Sequence, residues 1–505
     1  MHYRKQKIAV FMTIVSLGFL GLTKSSWAAT CTHYVSPSGS ATWVNATNIN
    51  TPVSAQTAFE NATAGNVACF RGGTYNFPTS VGYEFGAYNI ANGGISDSNR
   101  IIFQSYPGES PLFMGSHDTS DTAKLLTNGG NSYITIDGFS FEAFRGGTRL
   151  IANLGLYSNG LTNDDKRIHV TVQNCTFIGT EVTLQDNHSL LHVNSVGNVL
   201  IKNNTFIGLI AATNNTDFHG VAAIESYGAY DSTWANNIIV ENNNFNNCSV
   251  GVYTKYGASD FTVRYNWFKD VEAGVVFGPG GTTAGFATQS NHKIYHNVIK
   301  LKRLTSNTIR ILTGVTSGIR PENPATNHDY YNNTIYCNDT VTDASSGISG
   351  SDVSDIETYN NIIQLGIYVP GYSSGFVNWR YSNSAYLSFK SFDHNNFGHA
   401  TFNVHLMGAD YTTISGLQVA PITVDTVNPC SSRNPCGNVA GDPLFTNGSG
   451  SYSLLSDFNL QSGSPAKTTG RSDLDMGASI SLVGAQSMQE QDVVSPNAPV
   501  GLVVQ

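Results

Sequence analysis

Four short aliphatic stretches end in side chains that move protons or carry positive charge. They are SLLHVN with His192 and Asn194, GVYTK with Tyr253 and Lys255, GIRP with Arg320, and FVNWR with Asn378 and Arg380. Lys, His or Tyr can take a proton from carbon or return one to a leaving oxygen. Arg or Lys can neutralise a carboxylate, so that the hydrogen beside it becomes acidic. Glu225, Glu241 and Asp270, with Glu272 nearby, are candidates to share a calcium ion, because a hard cation takes oxygen ligands. Taken singly, each of these residues also reads as an ordinary surface group; their alignment on one face is what makes them a candidate site. If the aliphatic residue of each stretch points inward, strand alternation sends His192, Asn194, Tyr253, Lys255, Arg320, Asn378 and Arg380 outward. The stretch Ala223-Ile224-Glu225 leaves Glu225 open to either face.

A repeat supplies the elements that position them. VTVQNCTF, VLIKNNTF, IIVENNNF, FTVRYNWF, HKIYHNVI, HDYYNNTI, IETYNNII and KSFDHNNF share one pattern: a β-prone run, an Asn, one residue, then Phe or Ile. From Phe177 to Phe397 is 220 residues in seven steps, or about 31 per step. Asn204, Asn243, Asn266, Asn297, Asn333, Asn361 and Asn395 all stand two before the terminal apolar residue. Such a period predicts an all-β fold, a right-handed parallel β-helix. In it the Phe and Ile residues stack inward, the asparagines form a hydrogen-bonded ladder, and Asn supplies the left-handed turn conformation.

Charged residues are 12% of the 505, about half the usual share, which excludes coiled coils and basic nucleic-acid binders. Residues 1–28 read as a cleaved export signal: Arg4, Lys5 and Lys7, an apolar run from Ile8 to Leu22, and small Ser26 and Ala28 before the cut. Its four basic residues leave 22 against 35 acidic ones, a net charge of −13. The mature chain is therefore expected outside the cytoplasm, secreted or periplasmic, as a monomer with no nucleic-acid partner and no membrane span. Cys31–Cys69 and Cys430–Cys436 are candidate disulfides, and Cys175 a buried free thiol. The expected organisation is an N-terminal cap and first coils over 29–130, β-helix repeats over 131–440, closing coils or a C-terminal cover over 441–486, and a loose tail over 487–505.

With YVSPSGS…AGNVACFRGGTY at the start, SYPGESPLFMG, the NNTF-type ladder and the closing GDPLF…LQSGSPA, the chain resembles the secreted right-handed β-helix superfamily of pectate-lyase-like proteins over roughly residues 32–475. The segment GVYTKYGASDFTVRYNWF is similar to the alginate-lyase and chondroitinase B type of polysaccharide lyase, and the likeness implies that Lys255 is the base. The Arg that the family carries on the following coil has no counterpart in Val275-Val276-Phe277-Gly278, which leaves Arg320, two coils on and roughly 10 Å away, or calcium to neutralise the substrate carboxylate. The implied function is β-elimination on a uronate-containing extracellular polysaccharide. A non-catalytic extracellular β-helix that binds glycan or acts as an adhesive spacer is the alternative. A polysaccharide hydrolase comes third, because Asp164-Asp165 and the NTDFHG stretch containing His219 lack the full paired-carboxylate set.

Overall fold

Period-two alternation over three to seven residues, broken by Asn, Asp or Gly, produces strands too short to stand alone. They are stabilised by pairing with the equivalent strand one coil away. A computed structural model describes residues 29–484 apart from 77–87, 115–123, 143–151, 158–166, 180–187, 209, 211–220, 228–235, 256, 278–288, 303–315, 322–324, 338–344, 352, 366–376, 383–388, 399–403, 407–408, 418–436 and 448–451. The leader, the tail, His219, Asp164-Asp165 and the Cys430–Cys436 pair lie outside the described residues.

One coil illustrates the winding. Gly197–Lys202 belongs to the first sheet, Thr205–Ile207 to the second and Val221–Tyr227 to the third; Ile238–Glu241 then re-enters the first. Among the described residues the three sheets hold 12, 10 and 12 strands. Every pairing within them is parallel except that of the terminal strand Ala409–Tyr411, which runs antiparallel to Val404–Leu406 and ends strand addition. The fold is a right-handed parallel β-helix.

Inward files fill the coil. On the second sheet the rings of Phe141, Phe177, Phe206, Phe245 and Phe268 stack face to face at 4.5 to 5.0 Å. Ile299, Ile335 and Ile363 continue the same file. Leu191, Ile224, Val252 and Val275 do the equivalent on the third sheet.

The asparagine ladder stands at the corner between the first and second sheets. Each Nδ2 from Asn204 to Asn395 donates to the next Oδ1 at 3.0 to 3.1 Å. That Oδ1 also accepts the preceding rung's backbone N–H, so one buried amide satisfies donors that would otherwise be stranded. All seven expected rungs are present, and Asn438 adds an eighth. The left-handed conformation falls elsewhere than expected. It belongs to the residue before each ladder Asn: Asn203, Asn242, Tyr265, His296, Asn332, Asn360 and His394. A second left-handed corner stands where each coil enters the first sheet, at Asn198, Asn237, Asp260, Asn291, Asn327 and Asp355, always five residues before the other.

The N-terminal end is closed by the helix Ala55–Asn61, whose Phe59 packs on Phe70, Phe103 and Phe113. Cys31–Cys69 is a disulfide, and Cys175 is a buried thiol hydrogen-bonded to the Gln173 carbonyl. Val439 bridges Asn396 as a last partial coil. Residues beyond it run back along the outside of the second sheet, where Phe445, Tyr452, Phe458, Met476 and Val483 bury Trp267, Val298, Tyr336 and Ile362. Among the described residues no helix is long and apolar enough to cross a membrane.

Candidate functional site

The third sheet brings most of the sequence-predicted residues into register. His192 pairs with Glu225, Glu225 with Tyr253, Tyr253 with Val276, and Val276 with Arg320. Beyond them Ile319 pairs with Ile348, and Ser349 with Arg380. One file along the axis thus holds His192, Glu225, Tyr253, Val276, Arg320, Ser349 and Arg380. Ile224, the residue before Glu225, is in the inward file; that settles the register and puts Glu225 on the outer face. Asn194 and Lys255 occupy the next outer file, both in register with Tyr227. Asn378 stands two positions before Arg380 on the same strand.

The outer face is not the open strip that the sequence suggests. His192, Glu225, Tyr253 and Lys255 are 5%, 0%, 3% and 6% exposed, while Asn194 is exposed. Ala223 and Val276, on the same outer face, are fully buried. From His192 to Val276 the outer side of these strands is therefore covered as well as the inner one, and the row is closed over that stretch.

Inside it Lys255 Nζ lies 3.4 Å from Glu225 Oε1 and 5.2 Å from the centroid of the Tyr253 ring. A buried cation gains from both the carboxylate and the ring face. Behind this strand, Thr254 points inward and donates to Gln289 Oε1 at 2.7 Å.

The three carboxylates expected to share calcium are separated by the winding. Glu225 is on the third sheet with Lys255, Glu241 on the first with Arg264 at 2.6 Å, and Asp270 on the second with Lys300 at 2.8 Å. Glu272 lies between strands of the second and third sheets. Each of the three has its own cation on its own face, so they do not fit one calcium ion, and no group of three metal-ligating side chains occurs among the described residues.

The sequence reading missed a second polar file, on the outer face of the first sheet. Glu241, Arg264, Tyr295, Tyr331, Tyr359 and Asp393 follow one another in register. The three tyrosine rings stack at 4.7 and 5.0 Å. Arg264 donates to the Tyr295 hydroxyl at one end, and Arg471 covers the Tyr359 ring at 3.9 Å at the other. The signal was available: every member stands two residues before a ladder Asn.

Neither a known protein family nor a curated protein matches the sequence. Among solved structures the chain is similar to a rhamnogalacturonan lyase (14% identity, TM-score 0.41, 66% of this chain and 87% of that one). It is also similar to a pectate lyase (15%, 0.36, 90% and 95%) and to a tailspike protein of an E. coli bacteriophage in complex with a pentasaccharide (13%, 0.39, 75% and 72%). At such loose overlaps the likeness carries no argument about activity, and the fold stands on the chain's own parallel sheets.

Proposed function

We propose that this chain is a secreted polysaccharide lyase that cleaves a uronate-containing polymer by β-elimination on the outer face of the third sheet. The observation that supports this reading is the in-register row His192–Glu225–Tyr253 with Lys255 tied to Glu225. In such a reaction a base removes the proton beside the carboxylate, the bond to the leaving oxygen breaks, a carbon–carbon double bond forms, and an acid protonates the oxygen. Sequence resemblance made Lys255 the base. An ammonium paired with a carboxylate has no lone pair to take a proton; it suits neutralisation of the substrate carboxylate, or donation to the leaving oxygen. His192 and Tyr253 are then the groups that take the proton, with Arg320 and Arg380 further along the file to hold the polymer.

The closure of the row favours a second reading, a non-catalytic extracellular β-helix in which Lys255–Glu225 is a structural ion pair. Purified protein mixed with alginate, pectate and glycosaminoglycans, with and without calcium, separates the two. A rise in the absorbance of unsaturated product that Lys255→Ala and Tyr253→Phe abolish supports the lyase. Silence across the panel, with the protein folded, overturns it.

A further inference from the structure

The interior behind the candidate site contains two histidines where neighbouring coils carry apolar residues. His292 and His328 are fully buried, their rings stacked at 4.7 Å, with Phe277 against both. The Phe261 N–H donates to His292 Nδ1, and the His292 N–H donates to His328 Nδ1, both at 3.2 Å. Each imidazole thus does for its corner what a ladder Asn does for the other: it accepts the backbone N–H of the coil before.

These bonds set the tautomer. With Nδ1 accepting, the His292 proton sits on Nε2, which lies 3.2 Å from Gln289 Oε1. That same oxygen accepts from Thr254, the residue between Tyr253 and Lys255. A continuous chain runs from His328 through His292 and Gln289 to the strand Val250–Lys255.

We propose that the His292–His328 pair is an acid-sensitive lock on that strand. A proton added to Nδ1 turns the acceptor into a donor facing an N–H, and two charged rings 4.7 Å apart repel in a fully buried space. Few groups soften this. His292 faces Gln289, Phe261, Phe277 and His328; His328 faces Phe277, Tyr330 and His292, with Lys390 adding repulsion. Burial, with the neighbouring charge, holds both imidazoles well below the ordinary histidine range, His328 at about 3. Acid therefore favours opening of the coils around Phe261 and His292, and with them the strand that carries Tyr253 and Lys255. The control of the site rests on the functional reading above; the lock does not.

Hydrogen exchange of the full chain at neutral pH and near pH 4.5 tests it, after correction for intrinsic rates. Protection at Thr254, Phe261 and His292 is expected to fall by up to about a hundredfold per imidazole on acidification. His292→Asn and His328→Asn keep a nearby acceptor without the titration, and should flatten that dependence. Histidine ring resonances of the wild-type chain give a readout independent of the variants. Titration of either ring near the usual histidine value, or an acid response unchanged in the Asn variants, overturns the lock. If the lock holds and no polysaccharide is cleaved at any pH, the site reading fails and the lock remains.

Discussion

Lys255 and Glu225 lie on neighbouring coils with Nζ 3.4 Å from Oε1, both side chains shut away from solvent on the outer face of a strand. Removing one partner strands the other's charge in a closed space. Lys255→Met is expected to cost about 3–5 kcal/mol, and Lys255→Met with Glu225→Gln distinctly less, because the second change removes the stranded carboxylate. Urea unfolding of the two single variants and the double variant measures this. A loss in the double variant equal to the sum of the two single losses would show that the pair is not coupled.

The ladder predicts a position-dependent cost. Asn266 accepts two hydrogen bonds from Asn243 and donates to Val240 O, Arg264 O and Asn297 Oδ1. Asn266→Ala leaves several buried groups unmatched and should cost about 3 kcal/mol. Asn438→Ala, at the end of the column, should cost about half as much, since its own bonds are to Asn395 and the Phe392 carbonyl. Thermal or urea melts of the two variants side by side check the ratio.

The phenylalanine column predicts a packing loss of a different kind. Phe206 is sandwiched between Phe177 and Phe245 at 4.9 Å on each side and is fully buried. Phe206→Ala should cost about 3–5 kcal/mol, and Phe206→Ile less, because coils further along carry Ile in the same file. Denaturant midpoints at constant slope give the measurement.

Legibility followed periodicity. Asn204 through Asn395 and Phe177 through Phe397 were readable because each rung repeats one residue type at one offset, and a β-helix turns that offset into a column. Glu225 was ambiguous, since in Ala223-Ile224-Glu225 every side chain but one is small or apolar and alternation gives no phase; the register with His192 and Tyr253 supplies it. The closure of the outer row was not readable, because a residue's outward phase says nothing about what chain lies over it. The calcium set failed for a related reason: Glu225, Glu241 and Asp270 are near in sequence, yet the winding sends them to three different sheets. Arg471 could not be placed at all, since its partners Glu357 and Asp393 are 114 and 78 residues away.

That arginine sets an acid limit on the C-terminal cover. It donates to both Asp393 oxygens at 2.7 and 2.6 Å and to Glu357 at 2.8 Å, while its backbone N–H is held by Asn360. Burial pushes the Asp393 carboxyl up, but Arg471 and His394 outweigh it and hold the group below the usual carboxylate value. A carboxyl lowered in the folded state stabilises above its unfolded value, near 4, and the gain is lost as pH falls through the folded value. Arg471→Ala removes the counter-charge and leaves Asp393 nearly buried. It should cost about 2 kcal/mol at neutral pH, with the gap to wild type closing as the pH drops below about 4. Limited proteolysis should then cut the variant within 465–484 at neutral pH, where the intact chain resists. A gap that stays constant from neutral to acid would mean that Arg471 acts by packing on Tyr359 rather than through Asp393.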